Sequence, residues 1–122
     1  MKLFYYCNVD TKERKICMPA PTLAIVIPCY NEEAVITSTI SRLTEVLNEL
    51  REQGVVSDKS FLFLVDDGSA DKTFELINEA HKNNPEKVKA ISFTRNFGNQ
   101  MAILAGMLEL KNFDYDCCIT ID

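Results

Sequence analysis

The chain has 122 residues, of which 47% are hydrophobic, and these values predict one globular domain at most. Its net charge of −5 argues against a nucleic-acid-binding surface, because binding to phosphates requires a basic patch. The five cysteines form no C-x-x-C pair and there is a single histidine, which argues against both a zinc site and a disulfide framework. Cysteines within apparent strands instead indicate reduced, buried thiols and a cytosolic setting.

The chain opens with a poorly patterned segment, residues 1–21, which we interpret as an N-terminal extension ahead of the fold. Residues 23–27 are continuously apolar and predict a strand that Pro28 ends. Asn31 is the predicted N-cap of the helix that follows, and this helix is expected to end near Gly54. The evidence for this helix is a stripe of apolar residues that recur in steps of four and three: Ile36, Ile40, Leu43, Leu47 and Leu50.

A second strand, residues 61–65, runs directly into Asp66, Asp67 and Gly68. Its unbroken apolar run is typical of a strand that is buried on both faces of a parallel sheet. Two adjacent carboxylates need a cation or hydrogen-bond donors to offset their repulsion, so they indicate more than a turn cap. The next helix is predicted from about residue 71 to residue 82, with three inward residues: Phe74, Ile77 and Ala80.

The last third of the chain repeats the alternation of strand and helix. Residues 88–93 predict a third strand, and residues 94–99 a loop. A strongly apolar helix follows at residues 100–110, and a fourth strand at residues 117–121 leads to the terminal Asp122.

The predicted order is β-α-β-α-β-α-β, which places the chain in the α/β class. Right-handed crossovers then give a Rossmann-like parallel sheet with the strand order 3-2-1-4 and helices on both faces. The order reverses between strands one and four, so a ligand crevice is expected there, at the carboxyl ends of the strands.

The strand ends carry groups that suit a nucleotide. An aromatic ring can stack on a base, a carboxylate can accept a hydrogen bond from a base or ribose, and an acid can hold a divalent cation. Neither a G-x-G-x-x-G loop nor a Walker A loop is present, so a metal held by acids is the expected partner of a diphosphate. The residues at these ends are Pro28, Tyr30, Glu32, Asp66, Asp67 and Asp122.

Three motifs together resemble those of family 2 glycosyltransferases. They are VIPCYNEE at residues 26–33, VDDGSADKT at residues 65–73 and SFTRNFGNQ at residues 92–100. The branch that they resemble most is that of the polyprenyl-phosphate sugar transferases, which includes dolichol-phosphate mannose synthase and bactoprenol glucosyltransferase. The resemblance covers about residues 22–122.

The resemblance implies the GT-A fold and an inverting transfer from a UDP- or GDP-linked sugar, with Mg²⁺ or Mn²⁺ as cofactor. The expected acceptor is a polyprenyl phosphate, with a glycan as the other acceptor class, and no nucleic acid is expected as a partner. By the family's pattern, the nucleotide site is lined by Pro28, Tyr30 and Glu32 and completed by Val65 and Asp67, with Asp67 near the base.

The same pattern makes Asp122 the first acid of the D-x-D metal motif and puts Arg95 and Asn96 in a loop that shapes the donor site. We therefore expect residues 22–122 to be the nucleotide-binding part of a GT-A domain that is truncated at this motif, without the second acid. No catalytic base is named. The isolated chain is expected to be inactive, and the full-length protein to lie at the cytoplasmic face of the membrane.

A truncated domain is also expected to leave apolar surface uncovered. An unpaired sheet edge and an exposed apolar helix face normally find a partner, so we expect self-association or marginal stability of the isolated chain. The residues concerned lie on the third helix: Met101, Ile103, Leu104, Met107 and Leu108.

Two other functions use similar features. A receiver-like signalling domain has an acid pair after strand one, whereas here the pair follows strand two. A non-catalytic nucleotide-binding or interaction module is the second alternative, and sugar transfer by a longer chain would distinguish it from an enzyme.

Overall fold

The computed structural model describes residues 19–121, and four strands alternate with three α-helices along them. A short 3₁₀ turn, Leu110–Asn112, follows the last helix. The elements are β1 (Leu23–Cys29), α1 (Ile36–Glu52), β2 (Phe61–Asp66), α2 (Thr73–Asn83), β3 (Val88–Ser92), α3 (Asn99–Glu109) and β4 (Cys117–Thr120).

The four strands form one parallel sheet in the order β3-β2-β1-β4, so the predicted order 3-2-1-4 is confirmed. The register pairs Cys29 with Asp66, and Asp66 with Ser92. The carboxyl ends of β1, β2 and β3 therefore lie level with one another. The loops that leave these three strands meet at one edge of the sheet, where parallel α/β folds bind their ligands.

Side chains alternate between the two faces of the sheet, and each face has its own core cluster. On one face, Ile25, Leu62 and Leu64 pack with buried residues of α1 and α2, such as Ile36 and Ile77. The predicted α1 stripe is confirmed, since its members are buried or partly buried in this cluster. On the other face, the following residues pack around α3 and the 3₁₀ turn: Ala24, Val26, Phe61, Phe63, Val65, Ala102 and Leu110.

Helix α1 begins later than the sequence predicted. Asn31 is not its N-cap, because the helix starts at Ile36 and a turn closed by hydrogen bonds to the Glu32 carbonyl precedes it. Asn31 has a φ of 50°, and its side-chain oxygen accepts the amide of Ala70, 39 residues away. A long-range hydrogen bond, which local pattern cannot reveal, has replaced the local cap.

Helix α2 presents a different face to the core than expected. Ile77 is fully buried and Ala80 is partly buried, as predicted. Phe74 is 39% exposed, so its predicted inward orientation is wrong. The helix begins at Thr73, whose side chain is fully buried and occupies the inward position in the first turn.

Helix α3 lies very close to the sheet. A Cβ at Gly106 would be 2.6 Å from Val26 Cγ1 and 2.9 Å from Val65 Cγ2, so only glycine fits here without a shift. The outer side of the helix is also apolar, and part of it lines an apolar groove of about 260 Å³ with Phe93 and Phe97. Four of the five residues predicted to form an uncovered face are exposed: Met101, Leu104, Met107 and Leu108.

Candidate functional site

A cleft of about 160 Å³ opens at the carboxyl edge of the sheet. It lies between the end of β1, the end of β2 and the loop that precedes α3. The predicted crevice involved strands one and four, but the described lining of this cleft comes from β1, β2 and the loop after β3. The lining residues are Pro28, Cys29, Tyr30, Glu32, Asp67, Asn96, Gly98 and Asn99.

Five of the residues predicted for the donor site lie together in this cleft: Pro28, Tyr30, Glu32, Asp67 and Asn96. Tyr30 is 48% exposed, so its ring is available to a ligand, whereas Asp67 is only 3% exposed. An exposed aromatic ring beside two carboxylates offers a stacking surface and hydrogen-bond acceptors in one small space. This combination suits a flat, polar ring such as a nucleobase.

The other predicted residues are placed differently. Val65 is fully buried on the α3 side of β2, with its side chain in the core rather than in the cleft lining. The Arg95 guanidinium carbon lies 4.0 Å from the centre of the Phe97 ring, a cation–π contact that orients it along the loop. Asp122 lies outside the described residues. The roles predicted for these three residues in binding the sugar donor remain predictions.

The first acid of the pair, Asp66, is held by its neighbours. It is 2% exposed, and it accepts hydrogen bonds from the Ser92 hydroxyl at 2.7 Å and the Ser69 amide at 3.3 Å. Such bonds replace the hydration that a buried carboxylate loses. Asp66 therefore fastens the end of β2 to the end of β3.

The second acid, Asp67, holds the loop before α3. Its two oxygens accept the amides of Phe97 at 2.7 Å and Gly98 at 3.0 Å. Gly98 has a φ of 97°, which favours glycine, and α3 starts at the next residue. A carboxylate offers about four lone-pair positions, so these two bonds leave acceptor capacity for a ligand. Asp67 thus builds one wall of the cleft as well as lining it.

Gly68 allows the two loops to touch. A Cβ at this position would lie 2.2 Å from the carbonyl carbon of Arg95, and its φ of 68° also favours glycine. The backbone after β2 therefore packs directly against the backbone of the loop before α3. No other residue type satisfies both constraints.

Cys29 lies in the cleft wall, but its thiol is unreactive at neutral pH. It is 1% exposed, and burial raises the pKa of its thiol to about 12, with the carboxylates of Glu32 and Asp66 adding to the rise. A thiolate is the reactive form of cysteine, so this side chain stays protonated and unreactive at neutral pH.

A comparison with protein families identifies the chain. The model described as "Glycosyl transferase family 2" matches residues 24–122. The chain belongs to this family. The resemblance found from the motifs is thus confirmed.

Family members with curated names are similar over most of this chain. It is 43% identical over 102 residues to the "Uncharacterized glycosyltransferase YkoT" of Bacillus subtilis, covering 84% of this chain and 30% of that protein. It is 36% identical over 100 residues to an "Undecaprenyl-phosphate 4-deoxy-4-formamido-L-arabinose transferase" of Aeromonas hydrophila, covering 82% of this chain and 28% of that protein. The chain therefore spans less than a third of the length of these relatives.

Solved glycosyltransferases have the same fold. The mannosyltransferase PcManGT of Pyrobaculum calidifontis, solved with GDP-Man and Mn²⁺, superposes with a TM-score of 0.53 at 23% identity over 78% of this chain and 25% of that one. Residues 1–349 of S. aureus TarS, solved with UDP, give a TM-score of 0.55 at 25% identity over 83% of this chain and 27% of that one. The predicted GT-A arrangement is therefore confirmed for the part of the fold described here.

The described part of this family 2 chain does not by itself fit a metal ion. Within residues 19–121, no group of three or more His, Cys, Asp or Glu side chains is arranged to hold one. The carboxylates of Asp66 and Asp67 also accept hydrogen bonds from protein donors. A metal ligand at Asp122, outside these residues, stays a prediction.

The sequence pattern did not single out three of the lining residues: Cys29, Gly98 and Asn99. Cys29 lies between two predicted site residues, but in a strand it looks like a core residue. Gly98 and Asn99 lie in the predicted loop 94–99, two and three residues after Asn96, but only Arg95 and Asn96 of that loop were assigned to the donor site. Position in the loop, rather than residue chemistry, was the available signal.

The helices of the structure were compared with what a membrane-spanning helix requires. Among the helices of residues 19–121, none combines the length and the hydrophobicity that a membrane crossing requires.

Proposed function

We propose that the protein to which this chain belongs is an inverting glycosyltransferase that takes a sugar from a UDP- or GDP-linked donor. The observation that supports this proposal is the cleft in which Tyr30, Glu32, Asp67 and Asn96 come together beside Pro28. The name of the TarS complex, which contains UDP, supports a uridine nucleotide as one of the two donor classes. The activity is proposed for a protein of the relatives' length, and the 122 residues alone are expected to be inactive.

The chemistry of the cleft suggests how the nucleotide binds. The Tyr30 ring stacks on the base, and acceptor oxygens of Asp67 and Glu32 receive hydrogen bonds from the base and the ribose. Asn96, which also lines the cleft, would shape the donor site together with Arg95 of the same loop. Mg²⁺ or Mn²⁺, held in part by Asp122, would supply the positive charge that the diphosphate needs.

The proposed acceptor is a polyprenyl phosphate. The name of the Aeromonas hydrophila relative includes undecaprenyl phosphate, and this supports a lipid acceptor for the present protein. Because such an acceptor is a membrane lipid, the proposal includes a location at the cytoplasmic face of the membrane.

Calorimetry on the full-length protein with UDP and GDP, each with and without Mn²⁺, tests the nucleotide site. We expect one of the two to bind, and Tyr30→Ala to weaken it about tenfold, because stacking on a base is worth about 1–3 kcal/mol. Tyr115→Ala is the matched control, since Tyr115 is also exposed but precedes β4 at the opposite edge of the sheet. Absence of heat with both nucleotides would contradict the proposal.

Transfer of labelled sugar to undecaprenyl phosphate in detergent tests the reaction. Nucleotide binding without transfer to any lipid or glycan would favour the alternative, a non-catalytic nucleotide-binding module.

A further inference from the structure

Two loops beside the cleft are bonded to each other, although almost 40 residues separate them in sequence. One is residues 31–33, between β1 and α1, and the other is residues 69–73, before α2. Each loop both donates to and accepts from the other. The bonds run from the Asn31 amide to Ser69 Oγ (2.9 Å), from the Ala70 amide to Asn31 Oδ1 (2.8 Å), from the Glu33 amide to Asp71 Oδ2 (3.2 Å) and from the Lys72 amide to Glu33 Oε2 (3.0 Å).

Thr73 lies at the centre of this loop pair. Its side chain is fully buried, and its hydroxyl oxygen accepts the amide of Glu32, 41 residues away, at 2.8 Å. The same hydroxyl donates to Asp71 Oδ1 at 2.5 Å. Because an amide can only donate and a carboxylate accepts, the hydroxyl proton points to Asp71 and one of the oxygen's two lone pairs accepts the Glu32 amide, which fixes the direction of the O–H bond.

Asp71 orients that hydroxyl. Its Oδ1 also accepts the Thr73 amide at 2.9 Å, so one oxygen is bonded to two groups of the same residue. Partial burial would raise the pKa of Asp71, but the hydrogen bonds from Thr73 and from the Glu33 amide lower it below its ordinary value. The side chain is therefore a carboxylate at neutral pH, as the bond from Thr73 requires.

The backbone that these residues hold is under constraint. Asn31, between Tyr30 and Glu32, has a φ of 50°, a left-handed conformation that is uncommon for non-glycine residues and that asparagine adopts more readily than most. The amide of Asn31 donates to Ser69 Oγ, and the amide of the next residue, Glu32, donates to Thr73 Oγ1. Tyr30 and Glu32, on either side of Asn31, both line the cleft, whereas neither Thr73 nor Asp71 does.

We propose that Thr73, oriented by Asp71, is a positioning residue that fixes the backbone at Glu32 so that Tyr30 and Glu32 face the nucleotide. The proposal rests on the function proposed above. It gives Thr73 a task beyond starting helix α2, because its hydroxyl bonds to a different segment of the chain. It also gives a physical reason for the residue types at positions 69, 71 and 73.

The full-length protein with UDP or GDP and Mn²⁺ provides the first test. Thr73→Val keeps the shape of the side chain but removes the hydroxyl and leaves the Glu32 amide unsatisfied, so we expect affinity to fall about tenfold. Thr73→Ser retains the hydroxyl and is expected to retain the affinity. On a Glu32→Ala background, Thr73→Val should cost less affinity than in the unmodified protein, because the part of its effect that acts through the Glu32 side chain is already lost and only the part that acts through Tyr30 remains.

Hydrogen–deuterium exchange without nucleotide provides a second test that does not depend on ligand binding. Amides of residues 30–36 should exchange faster in Thr73→Val than in Thr73→Ser, while those of β1 and β2 keep their protection. If Thr73→Val does not fold, Asp71→Asn serves instead, since it replaces one carboxylate oxygen with an amide donor. That variant should show the same local increase in exchange.

The outcomes separate the two proposals. If the unmodified protein binds neither nucleotide, the proposed function fails and the positioning role fails with it. If it binds one of them and Thr73→Val binds equally well, only the positioning role is overturned. Faster exchange throughout the sheet, rather than in residues 30–36, would show that Thr73 only stabilises the fold and would also overturn it.

Discussion

Helices α1 and α2 cover one face of the sheet and helix α3 covers the other, but only the first pair is largely polar on its outer side. Along α1, the exposed positions are mostly polar or charged, and its inner stripe is buried. Along α3, the residues toward the sheet are small, whereas Met101, Leu104, Met107 and Leu108 are 42–57% exposed on the outer side.

This difference in exposed residues indicates which surroundings each helix suits, water or protein. An amphipathic helix has one apolar stripe and meets water with its other side, whereas a helix that is apolar all round is typical of burial on both sides. The outer side of α1 therefore suits contact with water. The outer side of α3 is a surface that we expect to be covered by protein, and the following predictions test this contrast.

The largest expected effect comes from equal truncations on the two faces. Leu47 on α1 is 6% exposed and Leu104 on α3 is 48% exposed. In urea denaturation of the 122-residue chain, Leu47→Ala should lower the free energy of unfolding by about 3 kcal/mol, through lost burial and a cavity. Leu104→Ala should change it by less than about 0.5 kcal/mol. Equal losses would mean that the outer side of α3 is already packed.

Alkaline pH should lower the free energy of unfolding through Cys29, which is buried in the core cluster on the α1/α2 side of the sheet. Its folded pKa of about 12 lies above the ordinary value, so the stability that it contributes is complete below about pH 8.5 and decreases as the pH rises further. Between pH 8 and pH 9.5 the loss should be about 1 kcal/mol. Cys29→Ala should reduce this slope in urea titrations; an unchanged slope would show that Cys29 does not cause it.

Close packing under α3 should make Gly106→Ala unfavourable. Alanine favours the helix by about 1 kcal/mol, but the overlap of its Cβ with Val26 Cγ1 should cost about 2 kcal/mol, giving a net loss of about 1 kcal/mol. Val26→Ala removes the nearer of the two close contacts, while Val65 Cγ2 stays 2.9 Å from the new Cβ. The loss caused by Gly106→Ala should therefore be smaller in that background, and additive effects in thermal melts would contradict the close contact with Val26.

The smallest expected effect on stability is at the outer side of α3, where association is the better measure. We expect the 122-residue chain to self-associate, and Leu104→Lys with Leu108→Lys to abolish this with little change in the unfolding free energy. Light scattering at several concentrations measures it, with Val46→Lys on α1 as the control, since Val46 is also exposed. An unmodified chain that stays monomeric at every concentration would contradict the prediction.

The sequence predicted the architecture because the signals for it are local. The continuous apolar runs of β1 and β2 and the stripe of α1 identify the elements, and the handedness of crossovers then fixes the strand order. Phe74 shows the limit of this reasoning: Thr73 occupies the inward position in the first turn of α2, and the bulky ring remains 39% exposed. Residue type alone could not reveal that choice.

The sequence pattern indicated which residues lie at the candidate site but not the hydrogen bonds that build it. The oxygens of Asp67 accept the amides of Phe97 and Gly98, while its predicted place near a nucleobase stays a prediction. Asn31 was expected to cap a helix, but it is bonded to the loop before α2. In both cases the deciding partner lies 30 or more residues away, and only the assembled sheet brings it near.

Those same long-range bonds determine when the cleft can form during folding. The Asp67–Phe97 bond spans 30 residues and the Asn31–Ala70 bond spans 39. Closing chain segments of this length costs conformational entropy until the strands between them have paired. We therefore expect the cleft to form late in folding, after β1, β2 and β3 are in register. Under the proposed function, nucleotide added during refolding should bind only molecules with a finished cleft and shift the population toward them by mass action.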